Sequence, residues 1–259
     1  MARKRQIEMV AAVHLTTDKL VVYALGYAGY GLEAFVCFLL ARQGGWRRLK
    51  GLCLYVTLLF CLDGLARSAV LNYFGPTSIQ YAYCYWLTDV VLAIGAFSLI
   101  CSFFRRACTQ EQKLWRFVRL MLVFVFLLVI AVSALALTRH YTQLYTGFIV
   151  EFSQNLYFSC LVLNTLLFVM IQQLGIEDDE LGLLVCGLGV QFAGEAACLA
   201  LLHLTSGEAF ARVVAMVLPP ACTLGMLMTW MYAIAKTHEA VPVGPRLGKQ
   251  VALAEAVSD

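Results

Sequence analysis

In this chain of 259 residues, 61% are hydrophobic and 14% are charged, against the roughly 25% charged residues of ordinary soluble domains. That balance reads as an integral membrane protein. Spans of about 20 residues consume nearly the whole length, which excludes an appended soluble enzyme or sensor domain, and the net charge of +3 sits mostly in loops and end segments, a mark of topology rather than of nucleic-acid binding.

Residues 1–18 open with Arg3, Lys4 and Arg5 and continue with Ile7, Val10, Val13 and Leu15 mixed with Glu8 and His14. They fit an amphipathic helix lying at the interface as well as a free tail, and they lack the long apolar core of a signal peptide. Seven apolar runs follow, at about 20–41, 51–72, 82–104, 117–137, 144–171, 181–204 and 211–235. The expected fold is therefore all-α, a single seven-helix transmembrane bundle over 19–236 with a flexible tail over 237–259. Gly75-Pro76 marks the turn between spans two and three. Pro219-Pro220 lies inside span seven, where missing backbone donors are expected to kink the helix. The fourth span has no charged residue in its interior and is expected to face lipid most completely.

Lys and Arg gather after spans one and three and in the tail, whereas the loops after spans two, four and six are nearly devoid of them. The positive-inside rule then places the N-terminus outside and the C-terminus in the cytoplasm, in the inner (plasma) membrane of a bacterium. Arg3-Lys4-Arg5 and the acidic loop Gln172 to Glu180 run against that pattern. Most of the ten cysteines lie in apolar runs (Cys37, Cys53, Cys61, Cys101, Cys160, Cys186, Cys198, Cys222) without a CxxC pair, and read as small buried packing residues, not as disulfides or zinc ligands.

Ionisable residues at membrane depth are costly, and so are paired inside a bundle or used for function. Asp89 stands in the aromatic stretch Tyr83-Cys84-Tyr85-Trp86-Leu87-Thr88-Asp89. At the helical rise, Asp63 and Arg67 on span two, Asp89 on span three, Glu151 on span five and Glu195 on span six all lie roughly 7 to 14 Å from the outer ends of their spans. Glu33 lies deeper. Asp63 and Arg67 are i, i+4 neighbours able to pair. Glu151, Gln154, Asn155 and Ser159 form a polar stripe on span five, and Gly187, Gln191 and Glu195 one on span six, beside small residues Gly182, Cys186, Gly194 and Cys198 suited to close helix approach. The candidate polar network is thus Asp63, Arg67, Tyr85, Asp89, Glu151, Gln154, Asn155, Gln191 and Glu195. Five carboxylates face one buried cation.

No motif marks a catalytic residue, a cofactor or a metal: there is no HExxH, no phosphate-binding glycine loop, no plausible serine elbow with a helical histidine, and no lysine inside span seven for a retinal Schiff base. Arg67-Ser68, Tyr83-x-Tyr85-Trp86-x-x-Asp89, Glu151-x-Ser153 with Cys160, and Gly187-x-Gly189 followed by Glu195 together make residues 50–235 similar to a family of uncharacterised bacterial seven-span membrane proteins. In that family the span-three position is usually Glu, the loop after span five is basic, and the spacing from Glu151 to the cysteine is slightly shorter. The resemblance implies the fold and topology and no catalytic role. The functional expectation is a sensor or receptor-like component that holds a small polar or cationic ligand in an outer-half pocket and signals to a cytoplasmic protein partner through loop 105–119 and the tail. The alternatives are a small-solute or proton-coupled transporter and a structural or assembly subunit in the bilayer.

Overall fold

A computed structural model describes residues 24–42, 48–75, 78–109, 111–137, 144–176, 178–204 and 209–239. The expectations for residues 1–18 and for most of the tail lie outside the described residues. Among the described residues, seven helices are long and apolar enough to cross a membrane: α1 (Ala24–Arg42), α2 (Lys50–Phe74), α3 (Ile79–Ala107), α4 (Gln112–Leu137), α5 (Leu144–Gln173), α6 (Asp179–Leu204) and α7 (Ala209–Glu239). Among the described residues there is no strand. The protein is an all-helical, multi-pass membrane protein, and each helix contains or closely overlaps the apolar run that predicted it. Helices suit this solvent because every backbone donor and acceptor is satisfied within the segment.

Local chemistry sets the helix ends. Gly75, at φ +79°, closes α2, and its N–H donates to the Leu71 carbonyl at 2.9 Å. Ser78 then caps α3, accepting the Tyr81 N–H at 3.2 Å while donating to the Gly75 carbonyl at 3.0 Å. Arg105 and Arg106 fill the last turn of α3, where cations complement the helix dipole. Gly175, at φ +58°, turns the chain between α5 and α6, and Asp178 caps α6 by accepting the Leu181 N–H at 3.1 Å.

Packing places α3 and α6 inside. Half of the apolar window of each is buried, whereas α4 buries 22% and α1 17%. α3 touches α2, α4, α5 and α6, and α6 packs extensively along α7. That pair closes over glycine. A methyl group on Gly194 would meet Sγ and, at 2.8 Å, Cβ of Cys222, and one on Gly187 would lie 3.0 Å from the Trp230 indole. Trp230 is fully buried and donates its indole N–H to the Leu184 carbonyl at 2.9 Å. Small residues therefore do join α6 to α7, but through Gly187 and Gly194, since Gly182 has open space beside it and Cys186 is exposed.

One expectation needs correction, and one helix departs from regular geometry. Cys61 and Cys186 are exposed, so not every cysteine of an apolar run is a packing residue; none of the ten is in a disulfide, and Cys53, Cys108, Cys160 and Cys198 are buried. The helix α2 is not uniformly α-helical: Phe60–Arg67 forms a π-helical stretch between two α-helical parts. Its only buried residue, Gly64, lets α1 approach, with Tyr30 and Glu33 atoms 3.5 and 3.6 Å from where a Cβ would stand. Pro219-Pro220 lie within the continuous helix α7, and Thr223 donates its hydroxyl to the Pro219 carbonyl at 3.1 Å.

Candidate functional site: a polar layer around Arg67

Asp63 and Arg67 both stand on the π-helical stretch of α2, a local geometry that recurs at functional sites. The guanidinium of Arg67 donates from Nη1 to Asp63 Oδ1 at 2.6 Å, from Nε to Thr88 Oγ1 at 2.8 Å and from Nη2 to the Tyr85 carbonyl at 3.3 Å. Its Cζ lies 4.2 Å from the centre of the Tyr85 ring, in cation–π contact. Arg67 thus fastens α2 to α3 through two hydrogen bonds and one ring face, while its ion pair with Asp63 lies within α2.

Asp89 is held differently. Its Oδ1 is 3.7 Å from Arg67 Nη2, beyond hydrogen-bonding distance, and 3.5 Å from the Tyr157 hydroxyl on α5. Ser153, also on α5, is within hydrogen-bonding reach of the same carboxylate. Thr88 turns its hydroxyl back to the Cys84 and Tyr85 carbonyls at 2.7 and 2.9 Å, so it accepts from Arg67 while satisfying its own helix. Around this core lie Gln191, donating to Glu195 at 2.6 Å one turn along α6, and the phenols of Tyr55 and Tyr157, which share the electrostatic surroundings of Glu195. Deeper, Glu33 is 1% exposed, faces Asp63, and keeps one carboxylate oxygen without a partner.

Of the nine residues expected from sequence, Asp63, Arg67, Tyr85 and Asp89 meet directly, and Gln191 with Glu195 forms the adjoining pair. The other three lie elsewhere. Gln154 is exposed, Asn155 donates to Ser133 on α4 at 3.2 Å, and half-buried Glu151 makes no ion pair with Arg67 among the described residues. The face of α5 that packs inward is instead Ser153, Leu156, Cys160, Leu163, Asn164 and Leu167, at helical three- and four-residue steps. Sequence reasoning missed Thr88, Ser153 and Tyr157. Among the described residues no group of three or more Asp, Glu, His or Cys is arranged to hold a metal ion.

A second charged cluster lies at the opposite end of the bundle. Arg106 of α3 grips Asp178 with Nε at 2.8 Å and Nη2 at 3.0 Å, and Glu180 with Nη2 at 2.7 Å. Arg48, two residues before α2, pairs with the other oxygen of Glu180, and Lys236 of α7 pairs with Asp179 at 3.0 Å. Among the described acids of the loop that ran against the charge pattern, Asp178, Asp179 and Glu180 are therefore paired with the basic residues around them. This cluster borders a cavity of about 930 Å³. Comparison with protein-family models, with curated proteins and with solved structures yields no match.

Proposed function

We propose that the protein is a receptor-like component of the plasma membrane, with its C-terminus in the cytoplasm, which binds a small polar or cationic ligand at Asp89. The observation that carries this reading is the unequal hold on two neighbouring carboxylates. Asp63 has Arg67 at 2.6 Å, whereas Asp89 has it only at 3.7 Å and is held by the Ser153 and Tyr157 hydroxyls, the latter at 3.5 Å. A ligand ammonium or hydroxyl gains a charge-assisted hydrogen bond at Asp89 without breaking the Asp63–Arg67 pair. Asp63 and Glu195 are carboxyl groups that share the surroundings of Asp89, with Arg67 as the nearby cation.

Transmission to the far end has a structural basis. Asp89 and Arg106 stand about 25 Å apart along one helix, and α3 is buried along half of its apolar window. A shift of α3 at Asp89 reaches the ion-pair cluster of the opposite end, where a cytoplasmic protein partner would read it. The test is thermal stability of the purified full chain against a panel of small amines and polyols. Stabilisation by one of them, lost in Asp89→Asn and kept in Glu151→Gln, supports the reading; a panel without effect, or equal effect on Asp89→Asn, defeats it.

Proton-coupled transport is the second reading, favoured by one observation, the unpartnered Glu33 oxygen buried at mid-depth beside Asp63. Pumping or leak of protons in proteoliposomes that vanishes in Glu33→Gln and persists in Asp89→Asn would establish it in place of the receptor.

A further inference from the structure

With Arg48, Arg106 and Lys236 matched to Asp178, Asp179 and Glu180, the same end of the bundle still carries unmatched cations, and they gather at the start of α4. Lys113, Arg116 and Arg119 are exposed, and none of them forms an ion pair among the described residues. The nearest acid in the sequence is Glu111. Its helical neighbours at three- and four-residue steps are Leu114 and Trp115, so it does not pair with these cations along the helix. A cation in the first turn of a helix opposes the dipole, yet Lys113 stands in that turn with no acidic residue there to offset it. An anion from outside the chain would supply what the sequence omits.

The side of α4 that carries them is turned away from the bundle. Val118, Leu122 and Val129 are buried, at four- and seven-residue steps along the inward side. On the opposite side Lys113 and Arg116 continue into Leu120, Phe124 and Leu127 at three- and four-residue steps, and these three apolar side chains are 58% to 69% exposed. Depth agrees with direction. The 26 residues of α4 extend about 39 Å. Residues 120–137 account for about 27 Å of that, close to the hydrocarbon thickness of about 30 Å, which leaves residues 112–119 in the headgroup layer.

We infer that the start of α4 is a binding site for anionic phospholipids, with Lys113, Arg116 and Arg119 donating to the headgroup phosphates and the stripe from Leu120 to Leu127 lying along the acyl chains. The order of cation and apolar side chain along this face is the order of phosphate and hydrocarbon in a lipid. An acidic protein segment matches the cations but would have to enter the bilayer to cover the stripe. Phosphatidylcholine brings its own cation with its phosphate, so three cations without an internal acid favour a lipid of net negative charge. Such a site is independent of any ligand at Asp89.

The test places the purified full chain in nanodiscs of equimolar phosphatidylcholine and phosphatidylglycerol and counts, by native mass spectrometry, the lipids that stay bound on release. Phosphatidylglycerol is expected to be retained in preference, and the preference to fall about fivefold for each charge removed in Lys113→Gln and Arg116→Gln. Arg116→Lys keeps the charge and is expected to keep the preference. Lys236→Gln removes an equal charge from α7, where Asp179 already holds it, and is expected to leave the preference unchanged. All three positions are exposed, so the substitutions do not threaten the fold. Equal retention of the two lipids by the native chain, an unchanged preference in the Lys113→Gln, Arg116→Gln double variant, or an equal fall in Lys236→Gln overturns the site. Binding of polyglutamate that is lost in the double variant, with no preference between the lipids, overturns it as well and gives this face to an acidic protein partner.

Discussion

Replacing Glu180 by glutamine removes the one buried carboxylate of the charged cluster while keeping its shape. Its side chain is 3% exposed, and its two oxygens accept from Arg48 and from Arg106, the latter at 2.7 Å. Glutamine retains one acceptor and introduces an amide that faces a guanidinium donor to donor. A charge-assisted hydrogen bond contributes about 1.5 to 3 kcal/mol. Arg48 is 48% exposed and rehydrates when released, so its share is discounted for solvent, while Arg106 keeps Asp178. The expected loss is about 2 kcal/mol, mainly from the Arg106 side. Asp179→Asn is the matched control, because its pair with Lys236 lies at the surface, and no measurable change is expected. Reversible unfolding in mild detergent, with a double-mutant cycle of Glu180→Gln and Arg106→Gln, measures the coupling. If Glu180→Gln unfolds with the native chain, or loses no more than Asp179→Asn, then the cluster does not tie the helices together and the reasoning fails.

Three other outcomes follow from single contacts. Gly194→Ala is expected to cost about 1 to 3 kcal/mol by overpacking against Cys222, and Cys222→Ala in the same chain should recover part of the loss, because it removes Sγ but keeps the Cβ, while Cys222→Gly removes both contacts; no recovery in either double variant would mean that α6 and α7 meet elsewhere. Trp230→Phe removes the 2.9 Å bond to the Leu184 carbonyl and is expected to lower stability by about 1 to 2 kcal/mol in the same unfolding assay. The Cys108 thiol, just beyond α3, is pushed above the ordinary thiol value by burial and then by the Glu111 carboxylate. Site-resolved maleimide labelling should therefore show Cys108 reacting slowly at neutral pH, with a midpoint on rising pH above that of a free cysteine; a midpoint at or below it contradicts this account.

The spans were legible because length and hydropathy suffice in a bilayer: a helix there must be long, apolar and continuous. The common depth of Asp63, Arg67 and Asp89 was legible for a similar reason, since the rise per residue is fixed and short loops hold the ends level. Direction around the axis was not. In water an inward face is apolar and an outward face polar, but in lipid both are apolar, so the stripe Glu151, Gln154, Asn155 and Ser159 carried no signal of where it points. The packed face of α5 reads Ser153, Leu156, Cys160 and Leu163, which is indistinguishable in polarity from a lipid-facing run. Nor did any residue announce the π-helical stretch of α2, whose single buried glycine looks like any other glycine of an apolar span.

The acidic loop teaches a different lesson about charge. Counted one loop at a time, Asp178, Asp179 and Glu180 oppose the basic pattern of their end of the bundle. Counted together with the loops beside them, they are its complement: Arg48, Arg106 and Lys236 come from three separate segments and converge on three consecutive acids. Loops on one side of a membrane share a small area, so charges from distant parts of the sequence meet there by topology alone. Three basic segments and one acidic segment at the same end are thus a sequence-level signal of an ion-pair cluster. The signal becomes readable only after the number and direction of the spans are known. The same reasoning separates the two polar regions of this protein. At one end the carboxylates outnumber their cation, and at the other Arg48, Arg106 and Lys236 meet Asp178, Asp179 and Glu180 three against three.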